Sequence, residues 1–312
     1  MILLASAALT ALGVTVTATA APGTAPANAT TPATTPAKGA GALCGTLPAP
    51  AAHLTHVVWI VLENRSYSEV MGAPYLSSLA AQCGVATNYH NLSHPSLPNY
   101  LAMTSGRPLA QLPTNDCPTL CPVSGPSLFT QTPSWRVYSE SMPGTCALRD
   151  ARPYVVHHTA APYFSAVTNC PLRDLPLTAL DVAALPSFSL IVPNVNHDMH
   201  EVSSSVAAGD SWLRTNLGPI LASAAYRSGS TAVFVTWDEG GFPRRTNNCA
   251  TNTTDSGCHV ALLVLSPYTV PGTRWAGLAN HYSLLRATEQ LLHVPALGLA
   301  ATAPSITTAF GL

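Results

Sequence analysis

Glu63-Asn64 terminates the apolar run Val57-Val58-Trp59-Ile60-Val61-Leu62, and Asp238-Glu239-Gly240-Gly241 terminates the run Ala232-Val233-Phe234-Val235-Thr236-Trp237. Carboxylate and amide oxygens of this kind suit a hard divalent cation. Continuous apolar runs mark strands buried on both faces, and in open α/β sheets ligand-binding groups collect beyond the strand carboxyl ends. Two acidic strand tips therefore predict a metal-dependent hydrolase.

Hydrolysis through a covalent phosphoryl intermediate needs a hydroxyl of lowered pKa, groups that neutralise the equatorial oxygens, and an acid for the leaving group. Ser96 is the best nucleophile in the chain. It lies in the turn His94-Pro95-Ser96-Leu97-Pro98-Asn99-Tyr100, directly before a helix whose N–H groups favour an anion. Taken alone, a serine there is more often a helix cap; Ser93 and Ser105 lack the same setting. The segment Asn194-Val195-Asn196-His197-Asp198-Met199-His200 places several polar groups just after another apolar run. His94, His197, His200 and His281 are the histidines expected to meet a substrate. His157-His158 is a pair in a Pro/Tyr-rich region, and His53, His56 and His293 read as structural or superficial.

The elements that must position these residues follow from periodicity. Strands are predicted at 57–62, 135–139, 187–192, 232–237 and 259–266. Between them, residues 66–84 form one helix or two broken at Pro74, a helix runs from Tyr100 to Gly106, and an amphipathic helix spans 211–228. His281 opens a last helix. Residues 107–132 and 240–257 read as surface loops. Alternating strands and helices predict an α/β fold, with a mainly parallel central sheet and helices on both faces.

Charged residues make up only 9% of the chain and the net charge is −1, which leaves no electrostatic footprint for nucleic acid. Residues 1–21 resemble an export signal, although no Arg or Lys precedes the apolar stretch. Residues 22–43 are an Ala/Pro/Thr-rich linker, and 44–312 form one catalytic domain. A secreted, extracellular protein is expected. Eight cysteines in an exported chain favour disulfides. Spacing suggests the local pairs Cys117–Cys121 and Cys249–Cys258, with Cys44–Cys83 and Cys146–Cys170 as the longer bridges. Sequence alone does not fix that connectivity, and zinc on Cys117 and Cys121 is the rival reading.

Six segments recur together in order: Glu63-Asn64-Arg65-Ser66-Tyr67, His94 to Gly106, Pro193-Asn194 with Asp198-Met199-His200, Gly209-Asp210-Ser211-Trp212-Leu213, Thr236 to Gly241, and His281 to Arg286. Together they resemble the bacterial phosphoesterase family of phospholipases C and acid phosphatases, within the alkaline phosphatase superfamily, over residues 56–295. The resemblance implies one divalent ion of unknown identity on Glu63, Asn64, Ser96, Asp238 and Glu239. Ser96 would be the nucleophile and His281 would contact the phosphoryl group or assist the leaving group. His200 or His197 would lie nearby, with Asn64, His94 and Asp198 toward the substrate. Two-metal members carry Asp-His where this chain has Asp238-Glu239, so a single ion is expected, with protonated His200 and His281 standing in for the second. Asp210 could instead cap the helix that begins near Ser211. The expected partner is a small phosphate ester, or a phospholipid met by transient contact with a membrane surface. A phosphodiesterase, a serine esterase (no Gly-x-Ser-x-Gly elbow is present) and a non-catalytic surface-binding module are the alternatives.

Overall fold

The computed structural model describes residues 41–51, 54–200, 204–241 and 248–312. The expected signal and most of the linker lie outside them, as does His53. Lys38–Leu312 forms one compact unit.

Nine strands among the described residues join one sheet. They are β1 (His56–Leu62), β2 (Gly84–His90), β3 (Trp135–Ser139), β4 (Asp174–Pro176), β5 (Phe188–Val192), β6 (Thr231–Trp237), β7 (His259–Leu265), β8 (Thr273–Trp275) and β9 (Ala279–Asn280). The order is β4-β3-β5-β1-β6-β7-β2-β8, with β9 also on β2. Every pairing is parallel except those of β7 with β6 and β2. The mainly parallel α/β sheet expected from the sequence is therefore present.

Val57 to Leu62 are fully buried, because β1 is flanked by β5 and β6 and covered by helices. Eight α-helices are described: α1 (Tyr67–Val70), α2 (Pro74–Gln82), α3 (Ser96–Ser105), α4 (Leu128–Gln131), α5 (Cys170–Arg173), α6 (Val206–Ala222), α7 (Ala224–Arg227) and α8 (His281–Leu292). They gather mainly in two groups, α3 with α8 and α2 with α6 and α7. Trp59 of β1 donates its indole N–H to Thr288 of α8 at 2.9 Å, which fixes that helix on the sheet.

Several boundaries differ from expectation for local reasons. Helix α3 begins at Ser96 rather than Tyr100 and stops at Gly106, which adopts φ 67°. Helix α6 starts at Val206, where the Ser205 hydroxyl accepts from Ala208 N–H. Asp210 thus lies inside α6 and does not cap it. Its carboxylate instead accepts from Tyr75 and Leu76 N–H at 3.0 and 2.9 Å, capping the N-terminus of α2 across the interface.

The four disulfides pair as expected: Cys44–Cys83, Cys117–Cys121, Cys146–Cys170 and Cys249–Cys258. Cys117 and Cys121 therefore do not supply thiolates to zinc. Leu43, placed by sequence at the end of the linker, accepts the Tyr226 hydroxyl at 3.0 Å.

Candidate active site

Because β1, β2, β3, β5 and β6 point the same way, their carboxyl ends deliver Glu63, residues 91–96, Glu140, residues 194–200 and Asp238 to one edge of the sheet. The strand tips are tied to one another. Asp238 N–H donates to Leu62 O at 3.0 Å, and Glu63 N–H donates to Asp198 O at 2.8 Å. Asn64 adopts φ 43°, a left-handed conformation that Asn tolerates better than most residues, and its N–H faces Asp238 Oδ1 at 3.4 Å.

Ser96 is set by the turn before it. Asn99 accepts from Leu92 and Ser93 N–H and returns its amide to Ser93 O and Pro95 O, so one side chain closes the loop on itself. The Ser96 hydroxyl then donates to Glu63 Oε2 at 3.0 Å, and Tyr100, one turn along α3, donates to Glu63 Oε1 at 2.5 Å. Glu63, Asp198, Asp238 and Glu239 are all fully buried.

This concentration of acid is electrostatically unfavourable. Burial, then Asp238 and Asp198, push the Glu63 carboxyl well above its ordinary value, and burial and then Glu239 do the same to Asp238. Yet both Glu63 oxygens accept hydrogen bonds, as an ionised carboxylate would. Asp238 Oδ2 and Asn64 Oδ1 are buried with no hydrogen-bond partner among the described residues. An all-oxygen set with surplus negative charge and unused acceptors fits a hard divalent cation on Glu63, Asn64, Ser96 and Asp238. Glu239 turns one oxygen toward His94, with Oε2 2.9 Å from Nδ1. The tight cluster His94–Cys249–Cys258 is no metal site, since its two sulfurs form a disulfide.

The histidines divide by position. His281 is buried behind Asp238. Its Nε2 donates to Asp238 O at 2.6 Å, so Nδ1 accepts from the Tyr89 hydroxyl at 2.9 Å. Burial lowers its pKa to about 4. The expectation that a protonated His281 stands in for a second cation is thereby corrected: the ring is neutral and both nitrogens are engaged. His94 backs Glu239, with Nε2 3.9 Å from Cys249 Sγ. His197 pairs with Glu140 at 2.9 Å and is 40% exposed, beside a surface cavity of about 420 Å³ that Trp212 also lines. The ion-pair partner of its ring is Glu140, not one of the buried acids. His200 is exposed, and its N–H donates to Asp198 Oδ1 at 2.8 Å.

His158 was missed. It stacks on Tyr100, with Nε2 3.4 Å from Glu63 Oε1 and Nδ1 3.8 Å from Asp198 Oδ2. Burial, then His157, His200 and Arg152, hold its pKa well below the ordinary value. No strand or regular periodicity leads into it; the doubled histidine was the sole local signal.

A serine at a helix N-terminus thus faces carboxylates at the carboxyl ends of a mainly parallel α/β sheet. The chain belongs to the Phosphoesterase family, whose model matches residues 72–295, beginning just after the Glu63-Asn64 tip. It is thus a hydrolase acting on phosphoric ester bonds. It is 30% identical over 284 residues to a phosphatidylinositol-3-phosphatase of Mycobacterium tuberculosis, covering 88% of both chains. It is 28% identical to a phosphate-repressible acid phosphatase of Penicillium chrysogenum, over 77% of this chain and 59% of that one. The chain spans between 55% and 59% of the length of the matched acid phosphatases of P. chrysogenum and Aspergillus fumigatus. In fold it resembles an alkaline phosphatase superfamily protein of Vibrio parahaemolyticus, with TM-score 0.54 and 11% identity over 82% of this chain and 72% of that chain.

Proposed function

We propose that the chain is an exported phosphatase that cleaves phosphate monoesters through a phosphoserine at Ser96. The observation that carries this reading is the Ser96 hydroxyl on Glu63 Oε2, at a helix N-terminus and beside Asp238. The phosphatase names of relatives that match most of the chain favour monoesters. Four disulfides support export to an oxidising compartment.

Glu63, Asn64, Ser96 and Asp238 would hold a divalent cation, which when bound would supply positive charge to lower the serine pKa and attract phosphoryl oxygens. Glu63 holds the Ser96 hydroxyl, and Tyr100 holds Glu63. Ser96 Oγ attacks phosphorus in line as the ester oxygen departs. His200, at the exposed side and tied through its backbone N–H to Asp198, is placed to protonate that oxygen, while buried His158 is a positioning residue beside Glu63 and Asp198. Water then attacks the phosphoserine and regenerates the hydroxyl. His281 and His94 are positioning residues that hold the Asp238 backbone and the Glu239 carboxylate.

The test is hydrolysis of p-nitrophenyl phosphate and bis(p-nitrophenyl) phosphate by wild type and Ser96→Ala, with chelator and with divalent metals restored. The reading expects metal-dependent monoester turnover, lost in Ser96→Ala. Absence of turnover under every metal would refute it, and preference for the bis-ester would identify a phosphodiesterase.

A further inference from the structure

The N-terminal turn of α3 has few donors for an anion. Ser96 and Leu97 carry N–H groups, whereas Pro98 has none. One of the two is already occupied: Leu97 N–H donates to the Asp116 carboxylate at 2.9 Å. Asp116 comes from the 107–132 excursion, and the contact places a negative charge one residue from the nucleophile.

That carboxylate is held rigidly. The Cys117–Cys121 disulfide follows it immediately, and the Tyr163 hydroxyl donates to Cys117 O at 2.7 Å. Val123 N–H donates to Tyr163 O at 2.7 Å, and Asp150 N–H reaches Pro118 O at 3.4 Å. The excursion and residues 150–163 thus form one wall. The groups facing Asp116 from that wall are His157 and Tyr163. Asp150 lies 3.8 Å from His157, and Arg152 acts on the same imidazole.

We infer that Asp116 is a specificity-determining residue that makes the site select singly charged over doubly charged phosphoryl groups. The inference rests on the proposed function. A phosphoryl group on Ser96 shares the helix terminus with the Asp116 charge. At a separation of several ångströms, with an effective dielectric between that of the protein surface and water, a second negative charge on phosphate is disfavoured on the order of 3- to 100-fold. A monoester gains that second charge near pH 6, whereas a diester stays a monoanion. Monoester turnover therefore follows the monoanion and favours the acid side of neutrality, while the diester, singly charged at both pH values, gains no pH dependence from Asp116. The oxygens of Asp238 and Asn64 that are buried without a hydrogen-bond partner among the described residues support a ligand at the same site.

Asp116→Asn tests this, because it keeps an acceptor for Leu97 N–H and removes the charge; Asp116→Ser does the same with a smaller side chain should the first fold poorly. The readouts are kcat/KM for p-nitrophenyl phosphate and the inhibition constant of inorganic phosphate, each at pH 5 and pH 7.5. Bis(p-nitrophenyl) phosphate, as substrate or competing ligand, is the control. The expected result is at least a threefold fall in the pH 5 to pH 7.5 ratio for the monoester, tighter phosphate binding at pH 7.5, and an unchanged ratio for the bis-ester. A uniform loss for both ligands at both pH values, or no change, would overturn the inference and leave Asp116 as a helix cap. If wild type hydrolyses neither ester the proposed function fails, and direct phosphate binding at the two pH values still decides the role of Asp116.

Discussion

Ser96 Oγ lies 3.0 Å from Glu63 Oε2, joining the first turn of α3 to the tip of β1. Glu63 also accepts from Tyr100, so one buried carboxylate organises two side chains of the same helix. Glu63→Gln keeps the shape and removes the charge. We expect kcat to fall by about 10²- to 10³-fold, with weaker activation by divalent metal. Steady-state kinetics across a metal titration check this. Unchanged metal dependence would remove Glu63 from the cation site.

His158 and His281 should separate in a paired experiment. His158 touches Glu63 and Asp198 beside exposed His200, whereas His281 supports the Asp238 backbone from behind. His158→Gln should lower kcat about 10²-fold by loosening Glu63 and Asp198, with little change in unfolding midpoint. His281→Ala leaves buried groups unpaired and should cost about 2–4 kcal/mol of stability as well. Denaturant unfolding measured beside kinetics distinguishes them. Equal stability losses in both variants would contradict the assignment.

Asp210 should be structural despite its place in a shared motif. It caps α2 through Tyr75 and Leu76 N–H, so Asp210→Ala should cost about 1–3 kcal/mol and leave kcat/KM within about twofold. Lost activity at full stability would return Asp210 to the site.

Glu289 gives a pH dependence away from the acid cluster. Burial raises its pKa from 4.5 to about 7 while Oε1 accepts from Leu297 N–H at 2.8 Å. The native state then holds a proton that the unfolded chain has released. The associated stability is fully present below pH 4.5 and is lost as pH rises through about 7. Glu289→Gln removes this loss. The variant's advantage over wild type should be nil at pH 4 and reach about 2 kcal/mol by pH 8, read from urea unfolding at each pH. A difference independent of pH would contradict the assignment.

The sequence revealed the strand tips because β1 and β6 are continuous apolar runs that end sharply in acid. Ser96 stood out through its prolines and Asn99, whose side chain builds the turn. Strand β2 was not visible, since Thr87, Asn88 and His90 lower its hydrophobicity and its place depends on pairing with β7, β8 and β9. His158 and Asp116 escaped for a related reason. Both sit on loops outside the regular sheet and meet the site only through long-range packing. The role of Asp210 was obscured because its partners lie in another helix, 134 and 135 residues away. Patterns within one segment report strands and turns; contacts between segments decide which side chains share a site.

The central claim is covalent chemistry at Ser96. Acid quenching of wild type during turnover of p-nitrophenyl phosphate, followed by peptide mass analysis, tests it directly. The account predicts phosphate on the peptide containing Ser96, absent from Ser96→Ala, which should also lose at least about 10³-fold in kcat. Phosphate trapped on another residue, or full turnover by Ser96→Ala, would contradict it.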